Sequence, residues 1–410
     1  GGGVRVTRTN STASRSIDGH YLVYFPGRPT SPAFHTVAPS VEHMLAHAPE
    51  GAVLRPHHSY ARVLHGFSGH LSPAGVRHFE ELGARVEPDL RVRKLDLDLP
   101  WGVDRLDQPS FPLDGQFSTA AVGTGADVFV LDTGILATHQ EFDGRVGDVE
   151  DFVFGDNNGG IDCDGHGTHV AGTAVGANVG VARGSTVHAG RVMGCDGTGS
   201  YADVIAGVEW VAGHRAAVKV AVLSLGGPED EAMDAAVESL IASGTTVVVA
   251  AGNDAEDACK SSPSRVQGAI VVGATTQGSD GAASFVDEAA EYTNAGPCVD
   301  IFAPGSNILS AYMGGSNLYV QFSGTSMAAP HAAGVAAQVA ANLTASGKSH
   351  APADVWEHMR DLALEDAVRD SVEPYARPGR NQPNNHLLQA FLHAAPSPPP
   401  LPPFPPPLPP

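Results

Sequence analysis

From residue 126 onward, short apolar runs alternate with longer stretches of helical pattern, and this alternation narrows the fold more than any other feature. The runs are residues 126–131, 187–193, 218–223, 246–251 and 269–272, and residues 202–211 and 230–243 read as helices between them. A strand that is apolar at nearly every position is buried on both faces, as parallel strands between two helical layers are. In such sheets ligands sit at the carboxyl ends of the strands. A second constraint is the run of small residues that opens at Gly324-Thr325-Ser326-Met327-Ala328-Ala329-Pro330-His331 and continues to Leu343. It predicts a helix packed tightly in an interior, with Pro330 in the first turns, where a missing N–H costs least. Ser326 then falls at the helix N-terminus, where free N–H groups and the dipole favour negative charge. A serine there is a cap or a nucleophile.

The 410 residues suit about two to three domains. Residues 1–19 are polar and read as disordered, with Asn10-Ser11-Thr12 fitting a glycosylation acceptor. A small domain follows. Residues 20–25, 59–64, 66–71 and 85–89 read as strands, residues 41–47 as a helix, and Ser72-Pro73 as the cap and first residue of a second helix. The β-α-β-β-α-β order is that of a ferredoxin-like sandwich. Residues 90–100 are charged and irregular, a plausible exposed linker, and residues 393–410 form a polyproline rod suited to a stalk, a wall-associating segment or a ligand for a proline-binding domain. The sequence starts at Gly1 with no hydrophobic signal core and contains no run of eighteen apolar residues, so no membrane span is expected.

Charge is uneven. Residues 1–100 carry 11 Lys/Arg against 9 Asp/Glu, and residues 101–410 carry 13 against 36, which gives the whole chain its net −21. So acidic a body argues against nucleic acid and favours cationic partners or calcium. Within it, Asp104, Asp107, Gln108, Asp114 and Gln116 place several oxygen side chains in thirteen residues. Calcium takes about six to eight oxygens, so this stretch is either part of a cation site or a solvated acidic surface. The four cysteines, 163, 195, 259 and 298, allow three connectivities, and no CxxC pair supports a thiolate zinc site.

Four polar residues stand at strand ends or helix starts. Asp132 follows the first buried strand, His166 lies between glycines in Asp164-Gly165-His166-Gly167-Thr168-His169, Asn253 ends the strand before it, and Ser326 opens the small-residue helix. Each alone has a bland alternative as a cap or turn residue. Metal binding by the His166/His169 pair lacks an HExxH pattern and a nearby third ligand. The GxG triplets at residues 123–125 and 197–199 lack the strand–GxGxxG–helix setting of a dinucleotide site.

Taken in order, Asp132-Thr133-Gly134, the histidine motif, Ala250-Ala251-Gly252-Asn253 and the Ser326 octet resemble the signatures of the subtilase family, whose triad order is Asp…His…Ser. The resemblance covers roughly residues 20–390. Trp101-Gly102-Val103-Asp104 and the cysteine positions are similar to the proteinase K-like, aqualysin-like branch, and Leu64-His65-Gly66-Phe67-Ser68-Gly69-His70-Leu71 with Val86-Glu87-Pro88-Asp89 to the inhibitory propeptide. The resemblance implies a three-layer α/β subtilisin-like fold with a mainly parallel central sheet, preceded by a small α+β ferredoxin-like propeptide domain. The domains are then a disordered segment (1–19), the propeptide (20–97), the catalytic domain (98–392) and the tail (393–410), with cleavage between Lys94 and Pro100.

It also implies a serine endopeptidase made as a self-inhibited zymogen. Ser326 would attack, His166 act as base and acid, Asp132 orient the imidazole, and Asn253 with the Ser326 N–H hold the oxyanion. An extended substrate would pair between Ser224-Leu225-Gly226-Gly227 and Gly197-Thr198-Gly199, with Tyr201 lining a subsite. Ala250, Ala251 and Gly252 would line a first pocket open to apolar side chains. Cys163 would pair with Cys195 and Cys259 with Cys298, implying an oxidising compartment: secreted or extracellular, wall-associated, or vacuolar. Calcium would bind at Asp104, Asp107, Gln108 and Asp114, where Gln116 replaces a family Asn, and at Asp300 with the carbonyls of Gln267 and Ala269. No catalytic cofactor is implied; the expected partners are polypeptide substrates and the chain's own propeptide, and the expected state is a monomer. Residues 286–293 depart from the family pattern as an inserted acidic segment. Nine of the nineteen histidines lie in the first 100 residues, suggesting that protonation near pH 6 weakens the propeptide's grip. The competing readings are a non-catalytic peptide-binding relative and a wall structural protein.

Overall fold

The structure, a computed structural model, describes residues 16–25, 41–60, 65–90, 99–155, 158–279, 285–369 and 385–390. The sequon at residues 10–12, most of the expected cleavage segment and the proline-rich tail lie outside them. The chain divides into two compact units, residues 1–96 and 97–410.

The small unit runs β1 (Ser16–Phe25), α1 (Val41–Ala46), β2 (Val53–Tyr60), β3 (His65–Leu71), α2 (Pro73–Glu81) and β4 (Arg85–Leu90). Its strands form one antiparallel sheet in the order β2-β3-β1-β4, the ferredoxin-like arrangement. Odd-numbered residues of β1 turn towards the core, where Val23 packs with Phe67, Phe79 and Met44. Ser72 caps α2 through its hydroxyl, which accepts from Gly75 N at 3.2 Å. Gly75 itself is required by close approach, because a Cβ there would lie 2.1 Å from the Ala52 carbonyl oxygen.

The large unit contains α3 (Trp101–Asp104), β5 (Asp127–Asp132), β6 (Val146–Asp151), α4 (His166–Val175), β7 (Thr186–Arg191), α5 (Tyr201–Gly213), β8 (Lys219–Leu223), β9 (Gly227–Pro228), α6 (Glu231–Ala242), β10 (Thr246–Ala250), β11 (Ser261–Ser262), β12 (Ile270–Ser279), β13 (Phe285–Ala289), β14 (Ile301–Pro304), β15 (Ile308–Ala311), β16 (Tyr319–Phe322), α7 (Thr325–Ala345), α8 (Pro352–Leu362), β17 (Leu364–Glu365) and β18 (His386–Leu387). The main sheet has the order β17-β18-β14-β12-β10-β8-β5-β7-β6, with β13 beside β12. Its pairings are parallel except at β13 and β17.

Alternate residues of each strand divide the interior. Val128 and Val130 join the core under α4, α7 and α8, whereas Phe129 and Leu131 join the core under α5 and α6. The result is three layers, helices on both faces of a sheet. Among the described residues no helix is long and apolar enough to cross a membrane.

Of the two roles open to Ser326, the cap is excluded. Gly324, not Ser326, is the N-cap of α7, and no side chain caps that end. Pro330 is the sixth helical residue, so its missing N–H leaves the Ser326 carbonyl without the donor four residues on. Ser224 Oγ supplies that donor at 2.9 Å.

The acidic segment at residues 286–293 is in part a strand of the main sheet. Its first part is β13, and Asp287 is buried against Arg105, whose Nε and Nη2 reach the carboxylate at 2.9–3.1 Å. Removing one partner of such a pair strands the other charge in the interior. Asp287→Ala is therefore expected to cost about 3–5 kcal/mol, read as a lower urea midpoint at unchanged slope. Replacing both residues with apolar side chains of similar volume is expected to recover most of that loss.

Candidate active site

Asp132 is the last residue of β5 and His166 the first of α4, so one strand end meets one helix start. The Asp132 carboxylate is wholly buried, and its Oδ1 accepts from Thr133 N at 2.8 Å and from His166 Nδ1 at 2.7 Å. This leaves Nε2 on the accessible edge of a ring that is 25% exposed. Burial works to lower the His166 pKa; the charge and hydrogen bond of Asp132, with Asp164 and Asp162 behind them, outweigh it and raise the pKa. Helix and strand come this close because Gly167 has no side chain: a Cβ there would sit 2.3 Å from the Gly134 carbonyl oxygen.

Sequence reasoning overlooked the organiser of this corner. Asp162 is buried; its Oδ1 accepts from Thr133 Oγ1, Asp164 N and Gly165 N, and its Oδ2 from Thr168 N and Thr168 Oγ1. An aspartate three residues before a helix N-cap glycine was the available signal.

The His166/His169 metal alternative falls on geometry. His169 Nε2 donates to the Ile308 carbonyl at 2.9 Å, and burial lowers its pKa to about 3, so it is a neutral interior histidine. Among the described residues, the group that brings three possible ligands together is Asp148, His188 and His214. There each imidazole Nδ1 already accepts from a backbone amide (Asp148 N and Ala216 N), while each Nε2 donates to a carboxylate (Asp127 and Asp148). With every imidazole nitrogen in use, this is a hydrogen-bonded network rather than a ligand set.

Ser326 stands on the first turn of α7, half-buried. Its hydroxyl donates to the Ser224 carbonyl at 3.1 Å, and Ser224 Oγ donates back to the Ser326 carbonyl. This reciprocal pair ties α7 to the segment after β8. No hydrogen bond joins Ser326 Oγ to His166. Asn253, just past β10, has its carboxamide oxygen occupied by Thr325 N at 2.8 Å and Thr325 Oγ1 at 2.9 Å, so Nδ2 is left to face outward. Where a side chain on Gly324 would begin, Asn253 Nδ2 lies 3.5 Å away and Ser326 N 3.6 Å away. Two donors thus border one small space that a Cβ would fill, with Asn253 Oδ1, already engaged by Thr325, 3.7 Å from the same point. Thr325 and Asn294, which accepts from Asp254 N and Glu256 N and donates to the Ala251 carbonyl, hold this loop and were not foreseen.

Beside Ser326 is a cavity of about 390 Å³, walled by Ser224 to Gly227 and by Ala250 to Asn253. Its lining also includes Asp254, Ser261 and Ser264, so the pocket is of mixed polarity rather than apolar throughout. A second cavity of about 340 Å³ lies between Leu225 to Pro228 and Gly197, Thr198, Gly199 and Tyr201, with Met193 and Val204 supplying apolar surface. Gly199 makes only an isolated bridge to Met193, while Gly227 already pairs with Ser262. The Tyr201 hydroxyl donates to the Pro228 carbonyl at 2.8 Å.

The structure joins Cys163 to Cys195 and Cys259 to Cys298. The first bridge ties the loop before His166 to the segment leading into Gly197.

Two carboxylate clusters fit a hard cation. Asp104 Oδ2 accepts from Gly115 N and Asp107 Oδ2 from Ser118 N, while the Oδ1 atom of each is buried without a hydrogen-bond partner among the described residues. Burial, with the charges of Asp114 and Asp107, raises Asp104 to about 6. Asp300 is likewise raised to about 6 by burial; it shares a small cavity with Gln267 and Ala269 and accepts from Val271 N at 2.9 Å. Gln108 gives its backbone carbonyl to Arg105, while its side chain stays with the first cluster, where a hydrogen bond to Asp107 works to lower that carboxyl's pKa against the larger effect of burial.

Comparison with known proteins agrees with this geometry. Residues 123–390 match the profile of the Subtilase family. The chain is 48% identical over 258 residues to an extracellular serine proteinase of Thermus sp. (strain Rt41A), covering 62% of this chain and 60% of that protein. It is 44% identical over 283 residues to alkaline serine exoprotease A of Vibrio alginolyticus, covering 66% and 51%. It therefore spans between half and two thirds of these two relatives' lengths. The crystal structure of a cold-adapted subtilisin-like serine proteinase superposes with a TM-score of 0.63 at 39% identity, covering 72% of this chain and 99% of that one. On the family profile and these relatives together, the chain belongs to the subtilase family.

Proposed function

We propose that the large unit is a serine endopeptidase and that Asp132, His166 and Ser326 are its triad. The observation that carries this reading is the convergence of Asn253 Nδ2 and Ser326 N beside the Ser326 hydroxyl, on a helix N-terminus that itself favours negative charge. In the reaction, Ser326 Oγ turns from the Ser224 carbonyl to His166 Nε2, gives up its proton there and attacks the scissile carbonyl. His166, held by Asp132, passes that proton to the leaving amine, and water repeats the sequence to release the acyl group. The peptide lies extended between residues 197–199 and 224–227. The second cavity suits apolar side chains, and the first, with Asp254 and two serines in its lining, admits polar ones as well, so specificity is broad.

We further propose that the small unit, residues 20–97, is an intramolecular inhibitor of the large one, and that the protein works as a secreted monomer. The ferredoxin-like sheet order, the two disulfides and the extracellular relative support these readings.

Fluorophosphonate labelling of the processed protein is expected to be complete, and abolished in Ser326→Ala; a processed wild-type protein that does not label would refute the reading. Asn253→Ala is expected to lower kcat about 10²–10³-fold with little change in KM, the loss known for an oxyanion donor in subtilisin.

Calcium is proposed at Asp104, Asp107 and Asp114 and at Asp300 with the Gln267 and Ala269 carbonyls; it would supply structural charge neutralisation and no catalytic step. Because Asp104 and Asp300 are raised in the folded state, each is harder to ionise there than in the unfolded chain. Without a cation, stability should fall as pH rises from about 4 through 6 and then level off. Bound calcium favours the ionised carboxylates and removes that loss. The melting-temperature gain from calcium over EDTA, measured on Ser326→Ala, is therefore expected to be larger at pH 7 than at pH 4; an equal gain at both would count against these sites.

A further inference from the structure

The open face of the small unit's sheet carries a row of polar side chains across all four strands. Asp89 on β4, His20 on β1, His70 on β3 and Arg55 on β2 follow one another: His20 pairs with His70 and His70 with Arg55, and the register of β1 with β4 puts Asp89 beside His20. Cross-strand neighbours on one face stand close enough for their side chains to meet. His57 joins the row, and together these five residues line a cavity of about 360 Å³. None of them takes part in the proposed peptide chemistry, and they stand on the face of the sheet opposite Val23.

The chemistry of the row is specific. His20 Nδ1 lies 2.8 Å from Asp89 Oδ2, so the carboxylate holds the proton on Nδ1 and leaves Nε2 as a lone pair. A carboxylate behind a histidine in this way is the outer partner commonly found at metal-bound imidazoles, where it fixes the ring and strengthens the donor. The rings of His57 and His70 stand edge-on to His20, with centroids 5.4 and 5.1 Å away. Two imidazoles bound to one ion at about 2.0–2.1 Å with tetrahedral angles place their centroids roughly 5 Å apart. The His20–His57 and His20–His70 spacings are therefore those of ligand pairs. The three rings do not yet bring their nitrogens together as closely as Asp148, His188 and His214 do. Closing the set therefore requires side-chain movement, for which His57, the exposed member, has room.

We propose that His20, His57 and His70 bind a borderline-soft divalent transition metal of the zinc class, with Asp89 as the outer-sphere carboxylate and water completing the coordination. Three imidazoles and an open position suit such an ion and not calcium, which takes oxygen ligands. The bound ion bridges β1, β2 and β3 and so stabilises the small unit as a fold. Arg55, exposed at the end of the row, opposes it by charge. The proposal does not depend on the protease reading, since the ligands lie wholly within residues 1–96.

The test is calorimetric titration of zinc chloride into full-length Ser326→Ala, which cannot process itself by the proposed route, with excess calcium present. One zinc per chain is expected. His57→Gln and His70→Gln should each weaken it at least tenfold, Asp89→Asn by about 10–100-fold, and Arg55→Ala should tighten it. Zinc should also raise the melting temperature of the parent and not of His57→Gln, a variant at an exposed position that leaves the sheet intact. Absence of zinc binding, affinity unchanged in His57→Gln and His70→Gln, or loss of the site in His214→Gln instead would each overturn the proposal.

Discussion

The site rests on how closely α7 approaches the sheet. Half of its buried residues are alanine or glycine, and it packs against β8, β10, β12 and α4. At Gly334 a single added carbon would lie 2.5 Å from Val181 Cβ and 2.9 Å from the Ala174 carbonyl oxygen. That tight seat brings the first turn of α7 level with the ends of β8 and β10. Only then do Ser326, Ser224 and Asn253 share one crevice. Pro330 adds a further condition: by removing an intrahelical bond it frees the Ser326 carbonyl to accept from Ser224. A helix irregularity is thereby turned into a strut between the nucleophile candidate and the peptide-binding segment.

Around this centre the acidic residues work in two ways. Asp162 is buried with five donors and Asp132 with two, one of them His166 itself, so their charge is directed at particular groups and sets the geometry of the His166 loop. Asp104 and Asp300 are buried with fewer donors, and burial dominates them. Between Asp162 and Asp300 the difference is one of hydrogen-bond supply: the first accepts from five donors, and the second has the single backbone donor Val271 N to set against burial. Net charge alone could not separate these roles.

Much of this was legible in the residue pattern. Uniformly apolar runs such as Val247-Val248-Val249 announce a strand buried on both faces, and two half-cores on opposite sides of the sheet follow from the two-residue period. The motifs around Asp132, His166, Asn253 and Ser326 were visible because glycines and small residues must surround a group that is at once buried and reachable. The supporting partners were not visible. Thr325, Asn294 and Asp162 are ordinary turn and cap residues in sequence, and their roles come from donors supplied 29 to 73 residues away, such as Thr133 and Gly252.

The sequence by itself determined the layers, the direction of the main sheet and the identity of the candidate triad, because those depend on local periodicity and on residue types that few chemistries demand. The tertiary structure alone decided that Gly324 caps α7, that Asp287 is an interior ion-pair partner of Arg105, and that His20, His57 and His70 line one cavity. Each depends on cross-strand register or on a contact between distant segments, and neither is encoded in the spacing along one stretch of chain. The Ser224–Ser326 pair is the clearest case. Its two hydrogen bonds exist only because packing sets a helix start and a strand end 102 residues apart within 3 Å or so of each other.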